Sequence, residues 1–143
     1  MFTGRYVHAL DAKGRLMVPM RYRAELQEGF YIISGDDPCL VIYPLGEYRR
    51  LSDKVAAMPR SSPTARAFSR RVFGGAQEAS LDGVGRVLIA AYLREAAGIT
   101  DEAVLVGVNT CIEVWQPERL QETEAREAQQ LPSIQADMES RGV

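Results

Sequence analysis

The sequence has few of the residues that build metal sites and covalent catalytic centres. It contains two cysteines, Cys39 and Cys111, and one histidine, His8, in 143 residues. These are too few for a usual four-ligand zinc site within one chain, so we expect no metal and no cofactor. No nucleophile stands beside a base, and Gly83 and Gly85 lack the third glycine of a dinucleotide-binding loop. We therefore expect neither an enzyme nor a small-molecule substrate.

Long hydrophobic runs are also absent. No apolar stretch approaches the roughly 20 residues of a membrane-spanning helix. The opening Met-Phe-Thr-Gly-Arg-Tyr lacks the basic and then apolar layout of a secretory signal. We expect a cytoplasmic protein with no membrane partner, in which Cys39 and Cys111 are small buried hydrophobic residues instead of a disulfide.

The small net charge of -2 hides a strongly polarised chain. Residues 1–94 carry 14 Lys and Arg against 9 Asp and Glu, whereas residues 95–143 carry 3 against 10. Such a distribution lets one face attract phosphate groups while the acidic end keeps the molecule in solution.

One short motif occurs twice in the chain. Residues 10–23 read Leu-Asp-Ala-Lys-Gly-Arg-Leu-Met-Val-Pro-Met-Arg-Tyr-Arg, and residues 81–94 are a degenerate copy displaced by 71 positions. The residues that return are Leu10, Asp11, Gly14, Arg15, Val18 and Arg23, as Leu81, Asp82, Gly85, Arg86, Ile89 and Arg94. We predict two copies of one unit. Because about 70 residues bury little apolar surface alone, we expect the halves to share a core or to pack against other chains, and oligomerisation is the default expectation.

Each repeat is predicted to contain a strand, a tight turn, a returning strand, a short helix and a β-hairpin. The turns carry Asp11 and Gly14 in the first repeat and Asp82 and Gly85 in the second, because Asp bonds nearby backbone and Gly accepts positive φ. The first repeat has strands 1–10 and 15–18, a helix over 20–26 and hairpin strands 30–34 and 39–43. The second has strands 76–81 and 86–89, a helix ending near residue 98 and hairpin strands 104–106 and 112–115.

Helices are predicted between and after the repeats. One ends at Pro59 and has the apolar residues Tyr48, Leu51, Val55 and Met58 on one face, and a second begins at the N-cap Ser62. A charged helix begins at Glu118, and the last ten or so residues have no assigned structure.

The basic residues of the two turns are the candidates for binding. Lys13, Arg15 and Arg86 should lie at loop tips, where arginine suits guanine and Lys13 suits a phosphate. Alternatively, Arg15 and Arg86 form ion pairs with Asp11 and Asp82 that stabilise the turns, which we call the staple interpretation. The binding and staple interpretations can both be correct. A second basic zone is interpreted as a solvated helix surface in preference to a nucleic-acid surface, and it comprises Arg49, Arg50, Lys54, Arg60, Arg66, Arg70 and Arg71.

These residues together resemble the MraZ family of bacterial transcriptional regulators. The residues that carry the resemblance are Phe2, Gly4, His8, Leu10, Asp11, Lys13, Gly14, Arg15, Pro19, the Phe73-Gly-Gly-Ala segment, Asp82, Gly85, Arg86 and Glu113-Val-Trp115. The resemblance implies a mixed α+β, β-rich fold of two tandem AbrB-like repeats of the swapped-hairpin, double-split β-barrel kind, which form an intrachain pseudo-dimer with flanking helices. The expected divisions are a first repeat over 1–47, a helical connector over 48–75, a second repeat over 76–118 and an acidic helix and tail over 119–143.

The resemblance also implies a function. The implied function is sequence-specific binding of double-stranded DNA by a repressor of the cell-division and cell-wall operon. The repressor recognises repeated G-rich boxes and acts as a homo-oligomeric ring of eight or more subunits. It is expected in the cytoplasm, associated with the nucleoid. Carried over by position, the DNA-binding residues are Arg15, Lys13 and Arg86. Arg5 is a weaker candidate, expected near the same end of the barrel.

The second repeat departs from the family pattern. Ala90 replaces the proline found at Pro19, so we expect a less firmly started helix, and Gly83 and Val84 make the second loop apolar. That loop should contribute less to DNA and more to subunit packing.

Two other functions are compatible with the same residues. One is a scaffold ring that does not bind DNA, in which the arginines only staple the turns. The other is an RNA-binding regulator, against which the lack of exposed aromatics beside the loops counts.

Overall fold

A six-stranded antiparallel sheet lies at the centre of the computed structural model, which describes residues 1–143. The strands are β1 (Arg5–Ala9), β2 (Arg15–Met17), β3 (Phe30–Ser34), β4 (Leu40–Pro44), β5 (Gln77–Ala79), β6 (Arg86–Leu88), β7 (Glu102–Gly107) and β8 (Ile112–Trp115). The sheet has the order β1-β7-β8-β4-β3-β5, and β2 and β6 form a separate two-stranded ribbon. The prediction of a mixed α+β, β-rich fold is confirmed.

Six helices occupy the connections and the C-terminal end. They are α1 (Met20–Arg23, continued by a 3-10 turn over Ala24–Leu26), α2 (Leu45–Ala56), α3 (Pro63–Ser69, continued by a π-helical turn over Arg70–Gly74), α4 (Ala91–Ala97), α5 (Pro117–Gln129) and α6 (Leu131–Ser140). As predicted, Ser62 caps α3, and its hydroxyl accepts a hydrogen bond from the backbone N–H of Ala65 at 3.2 Å. No helix of this fold combines the length and the apolar content that crossing a lipid bilayer requires.

The two repeats exchange strands. β1 of the first repeat pairs with β7 of the second, and β5 of the second pairs with β3 of the first. In the ribbon, β2 pairs with β6, and Leu16 lies opposite Val87. The predicted returning strand therefore forms its ladder with the other repeat, and only an isolated bridge from Leu10 to Leu16 joins it to the strand before the turn.

Alternation along the strands divides the apolar side chains between the two faces of the sheet. In β7, Ala103 and Leu105 face the ribbon with α1 and α4, whereas Val104 and Val106 face α2, α3 and α5. The ribbon-side core takes residues from both repeats, as expected for halves too small to fold alone. The helix-side core includes Trp115, only 2% exposed.

The two thiols are free and lie on the helix side of the sheet. Cys39 is buried in that core, which confirms the prediction of a small buried hydrophobic residue, whereas Cys111 packs against the core only half-buried. Burial raises the pKa of the Cys39 thiol to about 12, which keeps it protonated and unreactive near neutral pH.

The second short helix starts with the same backbone geometry as the first, although Ala90 replaces the proline. Ala90 has φ -58° and ψ 144°, close to the -52° and 138° of Pro19. Its N–H, which proline would lack, donates to Oε1 of Gln77 at 2.9 Å, and Nε2 of Gln77 donates to the Leu88 carbonyl at 2.7 Å. The glutamine side chain therefore holds the backbone where the first repeat uses a proline ring.

Two predictions about helices were wrong. Helix α2 ends at Ala56, so Met58 is not on its buried face and is 51% exposed. The last residues, left without assigned structure, form α6, because Pro132 lies at the start of the helix, where its missing N–H costs no intrahelical bond.

Candidate nucleic-acid interface

The first loop is organised by the carboxylate of Asp11. Its Oδ1 accepts hydrogen bonds from the backbone N–H groups of Lys13 at 2.9 Å and Arg15 at 3.0 Å, and its Oδ2 accepts from Nε of Arg15 at 2.6 Å. The chain reverses at Gly14, whose φ is +83°. One carboxylate therefore fixes both the backbone of the turn and the direction of the Arg15 guanidinium.

The second loop repeats this hydrogen-bond pattern. Oδ1 of Asp82 accepts from the backbone N–H groups of Val84 at 3.1 Å and Arg86 at 2.8 Å, and Oδ2 accepts from Nε of Arg86 at 2.8 Å. Gly85 has φ +89°. Each turn thus contains an aspartate and a glycine, and each arginine forms an ion pair with the aspartate of its own turn.

Hydrogen bonding shifts the pKa of both carboxylates downward. The backbone N–H of Arg15, then its side chain and the Lys13 N–H, lower the pKa of Asp11 to about 2. The corresponding groups of Arg86 and Val84 lower the pKa of Asp82. Both aspartates are thus ionised at neutral pH, and each keeps its arginine in place.

The strand exchange brings the two loops side by side. The backbone N–H of Val18 donates to the Gly85 carbonyl at 2.9 Å, and that of Ile89 donates to the Gly14 carbonyl at 3.1 Å. Nη1 of Arg86 lies 3.9 Å from Oδ2 of Asp11. Although the two motifs are far apart in sequence, the fold presents them as one surface.

Arg23 and Arg94 cover the two turn glycines in a crossed arrangement. A Cβ on Gly14 would lie 2.7 Å from Cζ of Arg94, and a Cβ on Gly85 would collide with Cζ of Arg23. Nε of Arg23 donates to the Val18 carbonyl and Nε of Arg94 to the Ile89 carbonyl, each at 2.9 Å. The arginine at the end of one repeat's motif thus packs on the loop of the other repeat.

The sequence alone did not suggest a role for Arg23 and Arg94. Both recur at the same distance in sequence from the Gly-Arg pair of their repeat, and this was the available signal. The spacing does not predict that each arginine contacts the loop of the other repeat. They add two guanidinium groups to the surface that carries Arg15 and Arg86.

The other predicted site residues fall in two places. Lys13 is exposed at the tip of the first loop, and its side chain forms no hydrogen bond within the chain. Arg5 lies at the far end of β1 from Asp11, about 20 Å away at the rise of an extended strand. Both Nη atoms of Arg5 donate to the Glu124 carboxylate of α5, at 2.6 and 2.5 Å. This position does not match the expectation that Arg5 lies near the same end of the barrel as the loops.

Tandem repeats that exchange strands and each carry an Asp-x-x-Gly-Arg loop define the class: a two-repeat α+β protein with paired basic loops. The family model described as "MraZ protein, putative antitoxin-like" matches residues 1–71 and, separately, residues 72–141. The chain belongs to the MraZ family.

Relatives of similar length share much of the sequence. The chain is 50% identical over 115 residues to the transcriptional regulator MraZ of Desulfitobacterium hafniense, which covers 80% of each chain. It is 46% identical over 119 residues to the protein of that name from Clostridium acetobutylicum, covering 83% of this chain and 84% of the relative. The match to the Herpetosiphon aurantiacus protein, also named transcriptional regulator MraZ, is 37% identical over the whole of both chains.

Proposed function

We propose that the chain is a transcriptional repressor that binds double-stranded DNA through its paired loops. The observation that carries the proposal is the adjacent placement of Arg15 and Arg86, whose Nη atoms form no hydrogen bond within the chain. Each guanidinium is held through Nε, so its outer edge is available for a pair of acceptors such as N7 and O6 of guanine. The relatives are named transcriptional regulators, which supports a role in transcription.

The aspartates assist this contact instead of competing with it. An arginine side chain loses considerable rotamer freedom when it is immobilised, and that loss weakens binding if it occurs on association. Asp11 and Asp82 fix the arginines before DNA arrives. The staple and DNA-binding interpretations therefore describe two consequences of one geometry.

The remaining features of the proposal follow the family resemblance. The targets are repeated G-rich boxes upstream of the cell-division and cell-wall operon, and the protein acts as a ring of eight or more subunits, cytoplasmic and associated with the nucleoid. Each repeat is of the AbrB-like swapped-hairpin kind, with the divisions 1–47, 48–75, 76–118 and 119–143. A ring raises affinity for several boxes at once through effective concentration, provided that their spacing matches its loops.

The two loops should contribute unequally. The first presents the exposed Lys13 beside Arg15, whereas the second presents Val84, 56% exposed, beside Arg86. A lysine adds a phosphate contact that an exposed valine does not. We expect the first loop to provide more of the DNA affinity and the second to pack more against other subunits. A DNA contact by Arg5 stays a prediction, without support from its position.

Selection of DNA fragments from the source genome at moderate salt tests the proposal. The wild-type protein should enrich fragments with repeated G-rich boxes, and it should bind a box duplex at least about 10³-fold more tightly than a shuffled duplex. An Arg49→Ala variant, altered at an exposed arginine of α2, serves as the control and should behave as the wild type. Enrichment of no sequence would refute the proposal.

A scaffold ring without DNA is the alternative, since the Asp-Arg staples would serve it equally well. Salt separates the two functions. A DNA-binding protein is retained on duplex DNA at low salt and released as the salt concentration rises, because phosphate contacts displace counterions. A scaffold would elute already at low salt.

Lys13→Ala tests the phosphate contact. The variant should bind box and shuffled duplexes more weakly by the same factor, and the slope of log affinity against log salt should fall in magnitude by about 1. Fluorescence anisotropy titrations at several salt concentrations measure both quantities, with Lys54→Ala on α2 as the matched lysine control. A loss confined to the box duplex would mean that Lys13 reads bases.

A further inference from the structure

Helix α6 has an apolar face that nothing in the chain covers. Leu131, Ile134 and Met138 recur at the spacing of one helix face and are 49%, 40% and 41% exposed, and α6 has no buried residue. A helix of ten residues is marginal in water when it packs against nothing. Its apolar face is therefore suited to burial against a partner.

An apolar groove lies between α2 and α3 and is complementary to the apolar face of α6. It is lined by Val55, Ala56, Met58, Pro59 and Phe73, and its volume is 410 Å³. An enclosed cavity of about 150 Å³ holds a benzene molecule, so this groove has room for more than one aliphatic side chain. Met58, which the α2 pattern placed in the core, instead stands at the groove with half of its surface exposed.

The charges around the helix and the groove are opposite. Arg60 and Arg66 flank the groove, within the stretch 49–71 that has seven basic residues and a single acidic one, Asp53. Residues 120–143, by contrast, have five acidic residues and two basic ones. At 100° per residue, Asp137 and Glu139 fall on either side of the apolar stripe of α6. Opposite potentials of this kind orient a contact and speed its formation.

We propose that α6 of one chain docks in the α2–α3 groove of a second copy. The inference rests on the assembly proposed above and names the two surfaces that form it. No residue of α6 lines the groove of its own chain, and α6 has no buried residue, so the proposed contact joins two different surfaces on two chains. A contact of this heterologous kind, repeated by rotation, closes into a ring. Each single contact is small. In a closed ring every subunit is held by two of them, so the assembly is more stable than one pair.

Two variants each disrupt one of the two proposed surfaces, the apolar face of α6 or the α2–α3 groove. Ile134→Glu places a charge in the centre of the α6 stripe, and Met58→Glu places one in the groove. The matched controls are Ala136→Glu on the opposite face of α6 and Ala57→Glu, which lies next to the groove lining but outside it. All four positions are exposed, so thermal unfolding should match the wild type within a few degrees.

Sedimentation velocity of the full-length chains decides the proposal. We expect the wild type and both controls to form a large species, and Ile134→Glu and Met58→Glu each to sediment as single chains. An equimolar mixture of the two defective variants should restore a two-chain species and nothing larger, because only one intact helix and one intact groove can meet in each pair.

The outcomes separate this proposal from the function proposed above. If Ile134→Glu assembles like Ala136→Glu, or if Met58→Glu assembles like Ala57→Glu, the docking contact is refuted while the ring stands. A wild type that stays a single chain at every concentration refutes the ring and the contact together, and it is also the result expected if α6 folds back into its own groove. A single-box duplex should bind all these variants alike, so loss of DNA binding by the wild type would refute the repressor and leave the contact untouched.

Discussion

At the scale of single residues, a side chain at either turn glycine would be strained. Gly14 combines a φ of +83° with the guanidinium of Arg94 packed on its Cα. An L side chain in this backbone region is strained, and here its Cβ would also displace the arginine. The cross-repeat contact therefore requires glycine for two independent reasons.

Gly14→Ala should lower the free energy of unfolding by about 1–2 kcal/mol from the backbone strain alone. Gly83→Ala is the matched control in the other loop, because its φ is not in the positive region and a Cβ there would meet nothing within 4 Å. It should change stability by less than about 0.5 kcal/mol. Urea unfolding measures both, and equal losses for the two variants would show that the crossed arginine and the positive φ have no importance.

The carboxylate of Asp11 gives a prediction about pH. Its pKa is about 2 in the folded chain against an ordinary 3.8, so the ionised carboxylate stabilises the folded state. This stabilisation is fully present above the ordinary value and is lost as the pH falls from there through about 2. The ¹³C shift of the Asp11 carboxyl should titrate near pH 2 in the folded chain and near its ordinary value in urea. Identical midpoints would contradict the hydrogen-bond assignment.

At the scale of elements, the two short helices begin alike by different means. Pro19 starts α1 with a ring that fixes φ, and Ala90 starts α4 because Gln77 accepts its N–H. The sequence showed the missing proline, but Gln77 precedes Ala90 by a whole strand and turn. Its compensating role depends on tertiary placement and has no local signal.

A double-variant cycle tests this compensation. Gln77→Ala should lower the free energy of unfolding by about 1 kcal/mol, since it leaves the Ala90 N–H without its partner. Ala90→Pro alone should also destabilise, because the ring would meet Oε1 of Gln77 where the N–H now bonds. In the double variant the unpaired N–H is gone and the ring has space, so stability should exceed that of Gln77→Ala. Losses that simply add in thermal unfolding would contradict the cycle.

Local elements were predictable where the residues that determine them are adjacent in sequence. The Asp-x-x-Gly turns, the two hairpins and the Ser62 cap follow from the chemistry of adjacent residues. Helix α6 was missed because Pro132 suggested an interruption, although proline is compatible with the first turn of a helix. Its stripe of Leu131, Ile134 and Met138 was the signal available.

At the scale of the whole molecule, the repeat predicted two equal units but not which strands pair. The pairings of β1 with β7 and β2 with β6 join residues far apart in sequence, and alternation of apolar side chains is the same for either partner. The resemblance to a family implied exchange between repeats, whereas the residues alone favoured a local return. For the same reason the sequence could suggest Lys13, Arg15 and Arg86 as binding residues but not that they share one surface.

The exchange has a consequence for function. The backbone N–H of Val18 bonds to the Gly85 carbonyl and that of Ile89 to the Gly14 carbonyl, so hydrogen bonds connect each loop to the other repeat. These bonds hold the two loops, with their arginines, next to each other. Presentation of this kind reduces the ordering required when DNA binds.

The role of the paired loops is tested by titrating a box duplex and a shuffled duplex in parallel with Arg15→Ala and Arg86→Ala, each checked for unchanged assembly by light scattering. We expect both variants to lose specific binding. Arg15→Ala should lose at least about tenfold, consistent with one bidentate guanine contact, and Arg86→Ala should lose less. Box binding by both variants at wild-type affinity would contradict the claim that the paired loops form the DNA-binding surface.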